Sequence, residues 1–331
     1  MKEYKVAIII PTLNEERFIK NCLDSIFKQT FPFENMDVLV VDGGSKDKTK
    51  TIVENFSSLY NNVRLIENPE RIQAIAFNIG VKNSDAPYVI RLDAHVSYES
   101  HYIERCIKHL ETKPEVGDVG GICETKVRCS GIIPEAIAIL CQSRFGIGGA
   151  AFRVGASAGY VDTVPFGAFP RKVINEIGGM REDLSRAEDN EYVSRIRKAG
   201  YKVYLDPSIV STYYARDTFS GILKQMYANG QSIGQLFYVD RTAIGLRHFV
   251  PLAFVLGLLF SLCGAFILFP IFYLLLTVIG LYGIVNILST CLECKKHGWK
   301  YLVALPVLFM SVHISYGVGT ILGLVKYMFR S

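Results

Sequence analysis

The sequence predicts an α/β domain with a mainly parallel, Rossmann-like sheet, followed by an α-helical transmembrane domain. Two observations carry this. Between residues 6 and 110, short apolar runs alternate with stripes of apolar residues at helical spacing. After residue 248, Phe249–Leu288 and Leu302–Val325 carry almost no charge. The 331 residues are 50% hydrophobic and 20% charged, which excludes disorder and leaves room for about two domains of ~150 residues. The net charge of +5 is too small, and the basic residues too dispersed, to indicate nucleic acid.

Val6–Ile10 is an apolar run ended by Pro11 and reads as a buried parallel strand. Phe18, Ile19, Cys22, Leu23, Ile26 and Phe27 then make Glu15–Gln29 an amphipathic helix. Val38–Val41 is a second strand, stopped by Asp42-Gly-Gly-Ser45, and Lys48–Tyr60 is helical. Val63–Ile66 is a third strand, followed by a helical stripe at Ile72, Ile75, Ala76 and Ile79 that ends at Gly80. Tyr88–Leu92 is a fourth strand, stopped by Asp93-Ala-His95, and Tyr102–Leu110 is the next helix. Such alternation implies right-handed βαβ units, whose ligands bind at the carboxyl ends of the strands. Pro11–Glu15, Asp42–Ser45 and Asp93–His95 all fall at such ends and outline one nucleotide-sized crevice. A GxGxxG after the first strand and a GxxxxGK[ST] are both missing, which argues against a dinucleotide dehydrogenase and a P-loop NTPase.

Each cluster has two readings. Asp42 suits hydrogen bonds to a base or ribose, and an Asp-Gly turn without ligand fits the same residues. Asp93 and His95, at i and i+2, suit a divalent metal, and a solvated loop fits them too. Glu188 and Asp189 open an amphipathic helix that ends in cationic residues before Gly200. They read as dipole-favoured caps or as a general base. Arg71 and Arg171 are cationic candidates that the sequence does not place.

Taken together, Val6-Ala-Ile-Ile-Ile-Pro-Thr-Leu-Asn-Glu15, Val40-Val-Asp-Gly-Gly-Ser-Lys-Asp-Lys-Thr49, Arg91-Leu-Asp-Ala-His95 and Glu188-Asp189 resemble an inverting family 2 glycosyltransferase of GT-A fold. Asp162-Thr-Val-Pro-Phe-Gly-Ala168, Tyr214-Ala-Arg-Asp-Thr218, Gln225-Met-Tyr-Ala-Asn-Gly230 and Arg247-His248 are similar to the succinoglycan-type glucosyltransferase branch. The resemblance implies that Pro11, Thr12, Asn14, Glu15 and Asp42 line a nucleoside pocket. It implies that Asp93 faces ribose and metal, and that His95 stands where a metal ligand is usual, with Mn2+ or Mg2+ as cofactor. Asp189 would be the catalytic base with Glu188 beside it, and Gln225 and Tyr227 would meet the donor diphosphate and the acceptor. Three departures stand out. Asp-Asp-Gly-Ser has become Asp42-Gly43, the metal motif ends in His95 rather than Asp, which leaves the metal's identity open, and the Gln-x-x-Arg-Trp motif is incomplete, which speaks against a processive polymer synthase.

The domain expectation is a catalytic domain at 1–235, a linker at 236–248 and a membrane domain at 249–331 with helices 249–269, 271–289 and 302–325. Residues 215–240 are a candidate interfacial helix, or a helix packed on the catalytic domain, through Phe219, Ile222, Leu223, Met226 and Tyr227. Lys295, Lys296 and Lys300 lie between the second and third spans. By the positive-inside rule they place that loop and the catalytic domain in the cytoplasm of a multi-pass membrane protein. Lys326 and Arg330 then fall outside, against the rule. The hairpin 249–288 is alternatively re-entrant. The eight scattered cysteines, including Cys291-Leu-Glu-Cys294, read as reduced thiols. The expected function is transfer of one sugar, UDP-hexose as donor, to a polyprenyl-linked saccharide among membrane lipids, in cell-surface polysaccharide or glycan assembly. The alternatives are a polyprenyl-phosphate monosaccharide transferase and, from another class, a transporter or scaffold with a degenerate nucleotide-binding domain.

Overall fold

A computed structural model describes residues 3–328; Arg330 lies outside them. The contacts divide the chain into two compact units. One runs to Glu124 and resumes over Gly155–Tyr213; the other joins Thr125–Val154 to Tyr214 and the residues after it.

The first unit starts with the four expected βα repeats. β1 (Val6–Thr12), β2 (Met36–Asp42), β3 (Val63–Glu67) and β4 (Tyr88–Arg91) alternate with α1 (Ile19–Phe27), α2 (Thr49–Leu59) and α3 (Gln73–Lys82). These strands pair in parallel in the order β3-β2-β1-β4. Successive side chains of a strand point to opposite faces, and here both faces are covered. Val6, Ile8 and Ile10 pack toward α1 and α4 (Tyr102–Thr112), while Ala7 and Ile9 pack toward Phe77 of α3. That is why β1 and β2 are almost uninterrupted apolar runs.

Beyond β4 the sheet turns mixed. It continues through β5 (Val96–Tyr98), β6 (Val116–Lys126), β7 (Gly159–Val161), β8 (Ala168–Pro170) and β9 (Lys202–Tyr214). The order runs β4-β8-β6-β9-β5, with β7 on the side of β9, and β8 is antiparallel to both β4 and β6. The three-residue strands β5, β7 and β8 are too short to show a period of two, so sequence periodicity does not reveal them.

The second unit holds α5 (Ile132–Gln142), α6 (Ala151–Val154), α9 (Phe219–Val239), α10 (Phe249–Ala265), α11 (Pro270–His297) and α12 (Ala304–Met328). The helices α7 (Arg171–Ile177) and α8 (Glu188–Lys198) belong to the first unit. Three helical stretches, Leu246–Ala265, Pro270–His297 and Ala304–Met328, are long and apolar enough to cross a bilayer. Pro270 sits in the first turn of α11, where its missing N–H costs nothing. Glu135 of α5 accepts hydrogen bonds from Lys300 and Tyr301, and His313 of α12 joins Tyr282 to the carbonyls of Phe145 and Gly146.

α9 pairs with α12, a partner that its own apolar stripe does not identify. The Ser315 hydroxyl donates to the Leu223 carbonyl, a Cβ on Gly319 would lie 2.2 Å from the Tyr227 carbonyl oxygen, and one on Gly323 2.4 Å from that of Gln231. The constant offset means that the helices run parallel, backbone against backbone, as small residues permit. They share a tilt to within a crossing angle, so a spanning α12 and an α9 flat on one leaflet are mutually exclusive. Gly319→Leu is expected to lower the melting temperature of the detergent-solubilised chain by the equivalent of about 1–3 kcal/mol of overpacking, read by thermal unfolding.

Candidate active site

The carboxyl ends of β1, β2 and β4 face one open cleft whose polar wall includes Thr12, Glu15, Arg71, Gln73, Asp93 and His95. Pro11 lines it as well. Asn14 and Asp42 do not contribute lining side chains; they build its rim. Asn14 takes a left-handed conformation (φ 56°), its side-chain oxygen accepts from the Lys46 backbone N–H, and its own N–H donates to the Ser45 hydroxyl. Buried Asp42 accepts from the N–H groups of Gly44 and Ser45 at 2.9 and 2.8 Å and from the Ser45 hydroxyl. Its carboxylate is thereby committed to the Asp-Gly turn, and the adjacent Gly43 lines the cleft. Arg71, also left-handed (φ 59°), lines it too, whereas Arg171 is bound to the Ala86 and Val81 carbonyls and serves the fold. Non-glycine residues held in that conformation need their surroundings to enforce it, and they concentrate at functional sites.

Asp93 and His95 are both in the cleft. Asp93 Oδ1 accepts from Gln73 Nε2 at 3.1 Å and from Arg91 at 3.2 Å. His95 Nδ1 lies 3.3 Å from Glu15 Oε1, which favours the tautomer with its proton on Nδ1 and its lone pair on Nε2. Among the described residues, His, Cys, Asp and Glu side chains assemble no metal cage of three or more. One carboxylate and one imidazole would leave most of a divalent cation's coordination shell to the diphosphate oxygens.

Arg91, at the end of β4, has a side chain only 11% exposed and joins this cleft to α8. The same guanidinium nitrogen that reaches Asp93 lies 3.6 Å from Glu188 Oε1. Burial works against its charge, but Asp93, Glu188 and Asp189 together raise its pKa, so it stays a cation. Left-handed Ala187 (φ 59°) turns the chain into α8, which buries Glu188 behind Arg91 and leaves Asp189 exposed. Asp189 lines a second, smaller cavity that also includes Arg91. The expected pair is thus split: Glu188 faces inward as an ion-pair partner, and Asp189 faces outward. Gln225 and Tyr227 lie on α9 in the second unit, where Tyr227 accepts from Gln231 Nε2.

Residues 7–146 match the family model described as Glycosyl transferase family 2. They form a family 2 glycosyltransferase domain. The chain is a glycosyltransferase. It is 28% identical over 328 residues to a Methanococcus voltae protein named dolichyl N-acetyl-alpha-D-glucosaminyl phosphate 3-beta-D-2,3-diacetamido-2,3-dideoxy-beta-D-glucuronosyltransferase, with 97% of each chain covered. It is 29% identical over 248 residues to the succinoglycan biosynthesis protein ExoA of Rhizobium meliloti, covering 74% of each. Among solved structures, the mannosyltransferase PcManGT of Pyrobaculum calidifontis, in complex with GDP-Man and Mn2+, aligns with a TM-score of 0.62 at 18% identity, over 96% of this chain and 87% of that one. S. aureus TarS 1–349 with UDP-GlcNAc aligns at 0.53 and 15% identity, over 99% and 92%. These neighbours show that the glycosyltransferase has the GT-A fold. Sequence patterns do not place two of the site's cations: Arg71 sits in a loop without periodicity, and Arg91 ends a strand beside the Asp93 motif.

Glu188 has its pKa raised to about 7, first by burial, with Arg91 opposing and Asp189 adding to the rise. An acid that holds its proton more tightly in the fold than at its ordinary value of 4.5 disfavours folding as pH rises through that interval. The penalty is complete above about 7 and absent below 4.5. Melting curves from about pH 5 to about pH 8 should therefore show Glu188→Gln gaining stability over the parent as pH rises.

Proposed function

We propose that this chain is a membrane-anchored inverting glycosyltransferase that moves one sugar from a nucleotide sugar to a lipid-linked saccharide. The observation that carries the reading is the Arg91 bridge, which ties the cleft carboxylate Asp93 to the helix turn bearing Asp189. In this reading Pro11, Thr12, Glu15, Arg71 and Gln73 surround the donor nucleotide, with Asn14 and Asp42 fixing the loop. Asp93 and His95 would hold a divalent cation, which supplies positive charge opposite the departing diphosphate. Asp189 takes the proton of the acceptor hydroxyl as that oxygen bonds to the anomeric carbon and the nucleoside diphosphate leaves from the opposite face. One displacement gives inversion. The roles of Gln225 and Tyr227 toward diphosphate and acceptor rest on the family resemblance alone.

The lipid-linked acceptor is supported by the Methanococcus voltae relative, named for a dolichyl-phosphate-linked sugar, and by three helical stretches of bilayer length. A multi-pass arrangement with the catalytic unit in the cytoplasm is favoured by Lys295, Lys296 and Lys300 grouped near one loop. UDP-hexose is the donor proposed, with Mn2+ or Mg2+.

Three assays test this on the full chain in detergent. UDP-glucose, UDP-GlcNAc and GDP-mannose are each offered with Mn2+ or Mg2+, and release of nucleoside diphosphate is measured with a polyprenyl-diphosphate-linked saccharide and with polyprenyl phosphate as acceptors. Turnover on the first acceptor is expected; turnover on the second alone would assign the monosaccharide-transferase reaction instead. Asp189→Asn should lower kcat by about 10²–10⁴-fold with donor binding retained. Arg71→Ala and Asp93→Ala should weaken nucleotide protection against thermal unfolding; unchanged protection in both would remove the donor cleft from this account.

A further inference from the structure

The small cavity beside Asp189 is lined by three residues that carry orphaned polar groups. Asp118 of β6 is fully buried, and among the described residues neither carboxyl oxygen has a hydrogen-bond partner. The Val119 N–H favours the charged form of Asp118, against the larger opposing effect of burial. The hydroxyl of Tyr192, a fully buried residue of α8, and Nε of Arg91 are likewise unpartnered. All three residues line the same cavity, which has room for about one water molecule. Space for Asp118 is reserved from the other side, because a Cβ on Gly167 would lie 2.2 Å from Asp118 Oδ1. The Gly167 carbonyl accepts from the Arg91 N–H, so the acid and the arginine are fastened to the same strand end.

Buried polar groups are rarely left unpaired, and one left so costs more than its hydrogen bond would return. Three around one water-sized space are accounted for together by a single ordered water, which offers two donors and two acceptors. We propose that Asp118 is a positioning residue: through a buried water shared with the Tyr192 hydroxyl it holds the guanidinium plane of Arg91, and so sets Asp93 against the turn carrying Asp189. Burial raises the Asp118 carboxyl well above the usual carboxylate range, with the Asp189 charge adding to the rise, so it stands as a neutral acid that both donates and accepts. Asparagine can reproduce that pattern; leucine, of similar size, cannot.

The inference rests on the roles given above to Asp93 and Asp189. The test is performed on the full chain in detergent with Mn2+, using the nucleotide sugar turned over fastest of UDP-glucose, UDP-GlcNAc and GDP-mannose. Asp118→Leu should lose about 10²-fold in kcat, as misplacement at a distance from the chemistry does, with donor KM nearly unchanged. Asp118→Asn should keep most of the turnover, and Tyr192→Phe should fall between the two. Melting temperatures are measured for each variant. A fully active Asp118→Leu, or equal losses in Asn and Leu that track their melting temperatures, would overturn the positioning role. Asp189→Asn run in parallel separates the two readings. If it is fully active, the base assignment fails; if it is inactive beside a fully active Asp118→Leu, only the positioning role fails.

Discussion

A largely enclosed guanidinium shared between two carboxylates is the constraint on which the site depends. Arg91 sits at the end of a central parallel strand, reaches Asp93 on one side and Glu188 on the other, and is surrounded by enough acid to stay charged in a poorly hydrated place. A guanidinium left there with no acid beside it would be an uncompensated charge, which is costly in a protein interior. The arrangement therefore resists sliding of the α8 turn relative to the cleft. Two adjacent acids thereby have different environments: Glu188 is buried, which raises its proton affinity against the opposing pull of Arg91, while Asp189 is exposed.

The fold around this bridge was legible where side chains repeat often enough to show a period. β1, β2, α1 and α4 follow directly from Val6–Ile10, Val38–Val41 and the apolar stripes of the two helices. The antiparallel half of the sheet was not, because β5, β7 and β8 have three residues each. In the site, Thr12, Glu15, Asp93 and His95 converge because they end neighbouring strands, a placement that topology alone dictates. Asp42 illustrates the opposite case: its type suited a ligand, but its oxygens are taken up by the turn it initiates. Asp118 had a faint signal, an acid inside the run Val116-Gly-Asp-Val119, which no motif singles out.

In the second unit the apolar tail was legible by length and lack of charge, but its internal partners were not. Helix pairing there depends on glycines that let backbones touch, and on polar links such as His313 with the Phe145 carbonyl. Both are contacts between residues far apart in sequence. The segment 125–154 joins this unit although it is spliced between strands of the other, so the chain order does not reveal the grouping.

The most direct test of the central claim is an experimental structure of the full chain with a nucleoside diphosphate and Mn2+. The account predicts Arg91 bridging Asp93 and Glu188, with the metal and diphosphate against Asp93 and His95 and the Asp189 carboxylate open toward the space where a hexose would follow. A structure in which Arg91 leaves Asp93, or in which Asp189 turns away from the bound diphosphate, would contradict it.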